Sequence, residues 1–242
     1  EEFEMRKTVY AAGALSMLAA LTFAAPAQAG GKHDGGRHDS DDARLSVLHG
    51  VPGVTVDVWV NGKLTLDNFE PGTLAGPLKL DDGSYKIAIT ASDATSADNP
   101  VIGPVKVHLK EGRNYTAVAH LDASGTPTAS LFKNDTSASP KGEGKLTVRH
   151  VAAAPAVDVL AGDTPVIEGL ENPEQEVLTL KAGTVSASVA AAGTTEPLIG
   201  PADVPVTKGK NTIVYAWGSL KDDTLGVAVQ VVDSAKWHGH DD

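Results

Sequence analysis

The sequence predicts an all-β protein built from two tandem β-sandwiches, and three observations lead to that fold class. First, residues 44–133 and 145–233 read as two copies of one unit. Second, apolar residues inside each copy alternate with polar ones, with the period of two that a half-buried strand requires. Third, turn signals recur about every 8–12 residues, the spacing typical of a sandwich of seven or eight short strands.

The duplication rests on short segments that recur in the same order along the chain. Residues 44–49 (RLSVLH) return as residues 145–150 (KLTVRH), and residues 100–104 (PVIGP) return as residues 197–201 (PLIGP). Chance similarity would not preserve this order with only small changes of spacing. We therefore expect a tandem array of one structural unit.

Within each repeat, alternation predicts the strands and the turns that join them. Residues 54–60 (VTVDVWV) alternate, and Asn61-Gly62 follows directly as a hairpin signal, since both turn positions need a positive φ. Residues 85–90 (YKIAIT) follow the turn-forming residues 81–83 (DDG). The second repeat shows the same alternation in residues 185–191, 204–207, 212–217 and 225–232. Irregular, proline-containing connections favour two packed sheets over a small barrel, so we expect Ig-like or fibronectin-like antiparallel sandwiches.

Residues 1–29 are predicted to contain a helical signal peptide. A positive start (residues 5–7, MRK) precedes an apolar run (residues 9–25), and residues 27–29 (AQA) offer the small side chains that signal peptidase accepts. A membrane anchor is the alternative, but the run is short for a spanning helix. Residues 1–4 are interpreted as a cloning scar or a misplaced start. We therefore expect a secreted or cell-envelope-associated protein, cleaved near Ala29.

Three further segments lie outside the repeats. Residues 30–43 are rich in His, Asp and Gly and lack apolar periodicity, which predicts a disordered tail. Residues 134–144 (NDTSASPKGEG) are the linker between the repeats, and residues 234–242 form a His-containing C-terminal tail. The sequence therefore divides into a signal segment, a tail, two repeats joined by a linker, and a second tail.

Composition and charge exclude several classes of function. The 242 residues carry a formal net charge of −11, which argues against a nucleic-acid partner because phosphates require a basic surface. Hydrophobic residues make up 41% of the chain, enough for a core in each repeat. The chain has no cysteine, which removes disulfides, thiol catalysis and Cys-ligated zinc, and favours a bacterial source.

The first repeat resembles a known family of exported bacterial proteins. Residues 45–52 (LSVLHGVP) lead to residues 56–62 (VDVWVNG), and residues 80–87 (LDDGSYKI) follow. These segments are similar to DUF4397 domains, in which a strand ending in His and a Pro-containing turn precede Val-Asp-Val-Tyr-Val-Asn-Gly and a later Leu-x-x-Gly-x-Tyr-x-Val strand. The likeness covers both repeats, although Leu160 stands in the second where Trp59 stands in the first. The resemblance implies a β-sandwich in an exported protein and no established activity.

His49 and His150 each precede an aspartate, Asp57 or Asp158, by eight residues. Each pair could supply a base with its orienting carboxylate, or two metal ligands. Alternation favours a structural role, because each His is in phase with the inward-facing residues of its strand while each Asp lies between inward-facing valines. We expect buried imidazoles that bond to the backbone of the following turn, and outward carboxylates that cap a loop or pair with a Lys.

Two sets of residues are candidates for binding. His33, His38, His238 and His240 are the candidate metal ligands, since His-rich tracts with adjacent carboxylates bind ions such as Zn, Cu or Ni; a solvated charged tail is the alternative. Trp59 is the candidate partner-binding residue, because it lies on the side of its strand opposite the valines and could stack on a sugar or anchor a protein. Packing of Trp59 against the linker or the other repeat is the alternative.

No catalytic signature stands out, so we expect no catalytic residue and no cofactor beyond a weakly held divalent metal. Ser130-x-x-Lys133 matches a hydrolase motif, but it lies in a predicted strand, where the two side chains point apart. The preferred hypothesis is a non-catalytic module that binds an extracellular protein or a cell-wall glycan. The alternatives are a metal-handling protein that uses its His- and Asp-rich termini, and a secreted enzyme with a site between the repeats. We expect no transmembrane segment in the mature form, and the oligomeric state is left open.

Overall fold

The computed structural model describes residues 42–235, and within this range the chain forms β-strands and no α-helix. None of the described residues belongs to a helix long and apolar enough to cross a membrane. The first repeat contains β1 (Ala43–His49), β2 (Val56–Val60), β3 (Lys63–Phe69), β4 (Leu74–Leu80), β5 (Gly83–Ala91), β6 (Ile102–Leu109), β7 (Asn114–Leu121) and β8 (Pro127–Lys133). The second repeat contains β9 (Glu143–Ala153), β10 (Val157–Ala161), β11 (Thr164–Leu170), β12 (Gln175–Lys181), β13 (Gly183–Ala191), β14 (Pro197–Val206), β15 (Lys210–Ser219) and β16 (Gly226–Asp233).

The strands form four sheets of four strands, two in each repeat. The strand orders are β4-β1-β7-β8 and β3-β2-β5-β6 in the first repeat, and β12-β9-β15-β16 and β11-β10-β13-β14 in the second. Strand for strand, the two sets of orders are the same, so the duplicated sequence folds into two similar sandwiches. We call β1–β8 the first sandwich and β9–β16 the second sandwich. The predicted all-β sandwich fold is confirmed.

One strand pair in each sandwich departs from the predicted antiparallel pattern. β1 pairs with β7 in parallel, with Arg44 opposite Asn114, and β9 pairs with β15 in parallel, with Lys145 opposite Asn211. The other strand pairs within the described residues are antiparallel. Alternation along a strand is the same for both kinds of pairing, so it does not reveal which strands meet in parallel.

Each sandwich encloses its own apolar core, built from alternate residues of its strands. Leu45 and Val47 of β1 point into the first core, and Leu146 and Val148 of β9 point into the second. The second core has smaller side chains at three inner positions: Ala187, Val189 and Thr212 stand where the first sandwich has Ile87, Ile89 and Tyr115. The second sandwich therefore has less apolar volume with which to hold its two sheets together.

The second sandwich is also more open along one edge. In the first sandwich β6 packs across β8, so that Ala129 and Leu131 lie against the core. In the second sandwich β14 packs across β15 and β9 instead. The inner face of β16 is consequently uncovered, and Val227, Val229 and Val231 are 44%, 50% and 51% exposed.

The two sandwiches pack against each other through β4-β1-β7-β8 and β12-β9-β15-β16, which we call the facing sheets. Leu48, Val118 and Phe132 of the first sandwich form one apolar cluster with residues of the second that include Ile213 and Tyr215. These residues lie on the sides of their strands that point away from each sandwich's own core. Each facing sheet is therefore covered on both sides, by its own core and by the other sandwich.

The linker is fastened to the second sandwich. Asn134 and Ser139 are buried, and the Nζ atom of Lys145 pairs with Oδ2 of Asp135 at 2.8 Å. The same ammonium donates to the carbonyl oxygen of Ser137 at 2.9 Å. These contacts connect the end of β8 to the start of β9 through ordered polar groups.

Candidate functional site

His49 and His150 are buried at the ends of equivalent rows on β1 and β9, as alternation predicts. Nε2 of His49 lies 2.8 Å from the carbonyl oxygen of Val54, and Nε2 of His150 lies 3.0 Å from that of Pro155. Burial lowers the pKa of both imidazoles and so favours the neutral form, which can donate Nε2–H to the carbonyl. The predicted structural role is confirmed, since each ring bonds to the turn that follows its strand.

Asp57 and Asp158 cap loops of their own sandwiches. Oδ1 of Asp57 accepts the backbone N–H of Asn68 at 2.9 Å, and the two carboxylate oxygens of Asp158 accept the N–H groups of Gly169 at 2.8 Å and Gly193 at 2.7 Å. The bonds from Gly169 and Gly193 lower the pKa of Asp158. The predicted loop capping is confirmed. The expectation that these carboxylates face solvent is wrong, because the loops that they cap cover them.

Trp59 is not the solvent-facing residue that its position opposite the valines suggests. Only 8% of its surface is exposed, and its indole N–H donates to Oγ1 of Thr90 at 2.9 Å. Thr90 lies on β5, the strand that pairs with β2, so the indole is held within its own sheet. The side chain therefore offers little surface to a partner.

The candidate metal ligands His33, His38, His238 and His240 lie outside the described residues 42–235. Within the described range, no group of three or more His, Cys, Asp or Glu side chains could hold a metal ion. Metal binding at the termini therefore stays a prediction from the sequence.

A buried polar network crosses the interface between the facing sheets, and Arg149 of β9 is its centre. Its guanidinium donates to Oε1 of Gln175 at 2.8 Å, to the Tyr215 hydroxyl at 2.7 Å and to Oδ1 of Asn134 at 2.8 Å. The guanidinium carbon also lies 4.5 Å from the centre of the Phe132 ring. Arg149 is fully buried, and within residues 42–235 no carboxylate pairs with it. Three neutral acceptors and two aromatic rings thus replace a counter-ion.

Gln230 of β16 connects this network to the first sandwich. Its Oε1 accepts hydrogen bonds from the Tyr215 hydroxyl at 2.6 Å and from Oγ1 of Thr116 at 2.9 Å, and its Nε2 donates to Oγ of Ser46 at 3.0 Å. Sliding one facing sheet over the other would leave these buried groups unpaired. Since an unpaired buried polar group costs about 1–3 kcal/mol, the network selects one mutual position of the two sheets.

Two pairs of chemically active side chains meet at this interface, as an enzyme site between the repeats would require. Arg149 donates to Tyr215, and Nε2 of His120 lies 2.9 Å from Oγ of Ser130. Burial lowers the pKa of His120 and Arg149 and raises that of Tyr215, and all three residues are inaccessible to solvent. Ser130 is half-buried, and the other three groups are buried and already hydrogen-bonded, so the geometry supports hydrogen bonding within the interface.

A groove of about 550 Å³ opens beside β16, where the facing sheets part. One wall is formed by residues 229–233 of β16, and the opposite wall by β1 and β4 of the first sandwich. Arg44 and Arg113 border the groove and are adjacent, because the backbone N–H of Arg44 donates to the carbonyl of Arg113 at 2.8 Å. Both are exposed, and within the described range neither guanidinium forms an ion pair. These two cations are available to a ligand.

Two acidic residues, Asp42 and Asp233, also border the groove. The Asp233 carboxylate already pairs with the Nζ atom of Lys210 at 2.7 Å. Among the residues that the structure describes around the groove, two guanidinium groups are thus opposed by the Asp42 carboxylate alone. The groove is locally positive, although the whole chain carries a net charge of −11.

The equivalent place at the other end of the interface, beside β9 and β12 of the second sandwich, is filled. Lys145, which occupies the position of Arg44 in the second repeat, pairs with Asp135 of the linker. Gln175, at the start of β12, accepts a hydrogen bond from Arg149. The linker and the guanidinium of Arg149 together occupy that place, whereas the groove beside β16 is open.

Arg44, Arg113, Arg149 and the valines of β16 were not among the candidate residues predicted from the sequence. Two features of the sequence could have drawn attention to Arg149 and to β16. Arg149 breaks the repeat by replacing Leu48 with a charge, and β16 alternates without a charged side chain before Asp233. Neither signal could reveal the groove, because its two walls come from different repeats.

Comparison with known proteins points to a family of unknown function. The model of the family DUF4397, a domain of unknown function, matches residues 43–160, which span the first sandwich, the linker, β9 and most of β10. No curated protein matches the chain. The predicted resemblance to DUF4397 domains is therefore confirmed over residues 43–160.

Proposed function

We propose that the protein is a non-catalytic, exported binding module that recognises a protein partner through the groove beside β16. The observation that carries this proposal is the groove itself. Within residues 42–235, two guanidinium groups without an ion pair stand on one side of it, and the uncovered strand β16 stands on the other. The side chains of His120, Arg149 and Tyr215 at the interface, by contrast, are buried and engaged in hydrogen bonds. Accessible polar groups and exposed apolar surface therefore coincide in this groove.

A protein partner fits this surface better than a glycan. The large apolar side chains exposed among residues 42–235 are all valine or leucine, and Trp59, the residue expected to stack on a sugar, is buried. An aliphatic row beside a strand edge suits a polypeptide, which supplies both apolar side chains and backbone hydrogen bonds. A glycan would use neither the row of valines nor the strand edge as fully.

In this proposal both repeats are needed, because together they form the interface between the sandwiches and the groove beside it. Leu48, Val118 and Phe132 would be exposed in an isolated first repeat, and that fragment would lack β16. Binding is therefore expected to need both repeats, for a geometric reason as well as through the avidity that two linked weak sites could add.

The proposal of export rests on the first 29 residues and on the absence of cysteine. Expression of the full chain in a bacterial host with a Sec pathway, followed by mass spectrometry of the exported protein, tests it. The expected product begins near Gly30. Retention of the whole chain in the cytoplasm, with residues 5–29 uncleaved, would contradict export.

Affinity capture with matched baits tests the binding function. The full chain and its Arg44→Glu/Arg113→Glu variant are immobilised, and each is exposed to envelope extract and culture medium of the source organism. A Lys86→Glu/Lys106→Glu variant is the control, since it changes the same amount of charge on exposed residues of β5 and β6. We expect one protein to be retained by the wild type and the control but lost by the groove variant. Equal capture by all three baits would refute the groove as the binding site.

A further inference from the structure

The free edge of β16 carries unpaired backbone groups at known positions. Among residues 42–235, β16 is the last strand of its sheet, and its backbone pairs with no strand except β15. In an antiparallel pair, residues alternate between those that bond to the neighbouring strand and those whose N–H and C=O groups point away from it. The N–H of Ser234 donates to the carbonyl of Gly209 at 3.0 Å, which sets the phase of this alternation. Counting back along the register places the outward N–H and C=O groups on Val231, Val229 and Val227.

The same three valines present their side chains on the uncovered inner face of β16. The first sandwich shows what normally lies there, because β6 covers the equivalent side chains of β8 with the alternating residues Val105 and Val107. The second sandwich lacks this cover, since β14 is placed over β15 and β9. A strand added beside β16 with β-branched apolar residues at every second position would extend this apolar row on the same face of the sheet.

Charge indicates which end of such a segment lies where. Arg44 and Arg113 border the groove beside residues 229–233, the C-terminal half of β16. Antiparallel pairing is slightly the more stable kind, and it would place the N-terminal half of an added strand beside the two guanidinium groups. Acidic side chains in that half would find unpaired cations there.

We infer that the protein binds an extended segment of its partner as an additional strand on β16. The segment pairs with the outward backbone groups of Val227, Val229 and Val231, sets alternating apolar side chains beside theirs on the same face of the sheet, and places acidic residues against Arg44 and Arg113. This inference rests on the proposed binding function and names the class of partner.

A second copy of the chain is the competing occupant, because exposed edge strands also pair with each other. The groove favours a single extended chain. Beside β16 stands a wall of the first sandwich, formed by β1 and β4, and an approaching sandwich would have to clear it. An isolated strand is narrower than a sandwich, so this wall obstructs it less.

Synthetic peptides test the inference directly on the full chain. The probe is eight residues long, like β16, alternates valine with threonine, and has two aspartates in its N-terminal half. The comparison peptides carry the aspartates in the C-terminal half, carry lysines instead, or have N-methylated backbone at alternate residues. We expect the first peptide to bind most tightly by calorimetry, and N-methylation on the pairing edge to weaken binding by about tenfold or more, because hydrogen bonds to β16 are lost.

Two variants of the protein locate the binding site. Val229→Pro removes one outward N–H without removing a bond to β15, so the fold should persist while peptide affinity falls by about fivefold or more. Val229→Thr/Val231→Thr keeps the backbone groups and lowers the apolar surface, and it should weaken binding by a similar factor. Thermal unfolding of each variant checks that β16 is still in place.

The outcomes separate this inference from the proposed function. Binding of the N-methylated peptide as tightly as of its parent overturns strand addition, even if the groove captures a partner. Self-association of the wild type that Val229→Pro abolishes, with no peptide binding, assigns the edge to a second copy and also overturns the inference. A third outcome is that the Arg44→Glu/Arg113→Glu variant loses the partner while none of the peptides binds to the wild type. That outcome would support the proposed function and refute the binding of an extended strand.

Discussion

Replacement of Arg149 by alanine is expected to destabilise the protein by about 3–5 kcal/mol, the range for removing one partner from a buried charged network. The change deletes three charge-assisted hydrogen bonds, of 2.7–2.8 Å, and removes the donor that Gln175, Tyr215 and Asn134 share in the interface. It also removes the guanidinium from the Phe132 ring and opens a cavity. Since domains unfold with about 5–15 kcal/mol, this loss is a large share of the total.

The variant Arg149→Met separates the polar contribution from packing. Methionine keeps most of the side-chain volume against Phe132 and no longer buries a charge without a counter-ion. We therefore expect it to be less destabilising than alanine, by about 1–3 kcal/mol. A double-mutant cycle with Tyr215→Phe should give a coupling energy of about 0.5–3 kcal/mol, because the two side chains share the 2.7 Å hydrogen bond.

Urea titration measures both effects, with the slope of the transition used to check that the same surface unfolds in each variant. Lys210→Met is the matched control, since it also removes a cation, but one that is 42% exposed and paired with a largely exposed Asp233. Its expected loss is below about 1 kcal/mol. A loss below about 1 kcal/mol for Arg149→Ala, equal to that of the control, would refute the central position of Arg149 in the interface.

Three further predictions follow from single positions. Burial lowers the pKa of His49, so stability should be fully present above about pH 6.5 and fall as the pH drops through the lowered value; His49→Gln should flatten that part of a urea-midpoint profile. The lowered pKa of Asp158 adds stability that is present above its unfolded pKa and lost as the pH falls through the folded one, so Asp158→Asn should show a smaller acid-induced loss, and an unchanged profile would contradict the loop cap. Gly144→Ala places a Cβ atom against the carbonyl group of Thr207 and should cost about 1–3 kcal/mol, whereas Gly183→Ala meets nothing within 4 Å and should change stability by less than about 0.5 kcal/mol.

Features that depend on one strand and its turn were predictable from the sequence. The sequence predicts that His49 is buried, because it is in phase with Leu45 and Val47 along β1. The structure confirms its burial and the hydrogen bond to the backbone that this burial requires. The Asn61-Gly62 turn has the expected positive φ at both positions, 51° and 77°. Local periodicity suffices in these cases, because the neighbours along the chain create the environment.

Features that depend on contacts with a second strand or loop could not be predicted from alternation along one strand. Asp57 was correctly placed away from the core, yet alternation could not show that the loop at Asn68 folds over it. Trp59 was expected in solvent for the same reason and is instead hydrogen-bonded to Thr90 on the adjacent strand. Alternation distinguishes the two faces of a strand, and it does not tell what covers the second face.

The interface was the largest feature that the sequence left out. Arg149 was visible only as a break in the repeat, where Leu48 stands in the first copy. Its partners Asn134, Gln175 and Tyr215 come from the linker and two other strands, and no spacing rule links them. A charged residue in a row of apolar ones, at a position where the sister repeat is apolar, is a usable signal for a surface that meets another domain.

Amide hydrogen exchange along β16, resolved residue by residue with NMR, tests the central claim most directly. In the free protein, we expect fast exchange for the outward amides of Val227, Val229 and Val231. We expect slow exchange for the amides of Ala228 and Gln230, which bond to β15. Addition of the acidic valine–threonine peptide should slow the three valine amides selectively. Uniform protection of β16 in the free protein, or peptide binding that leaves these three amides fast, would contradict the open strand edge on which the proposed function depends.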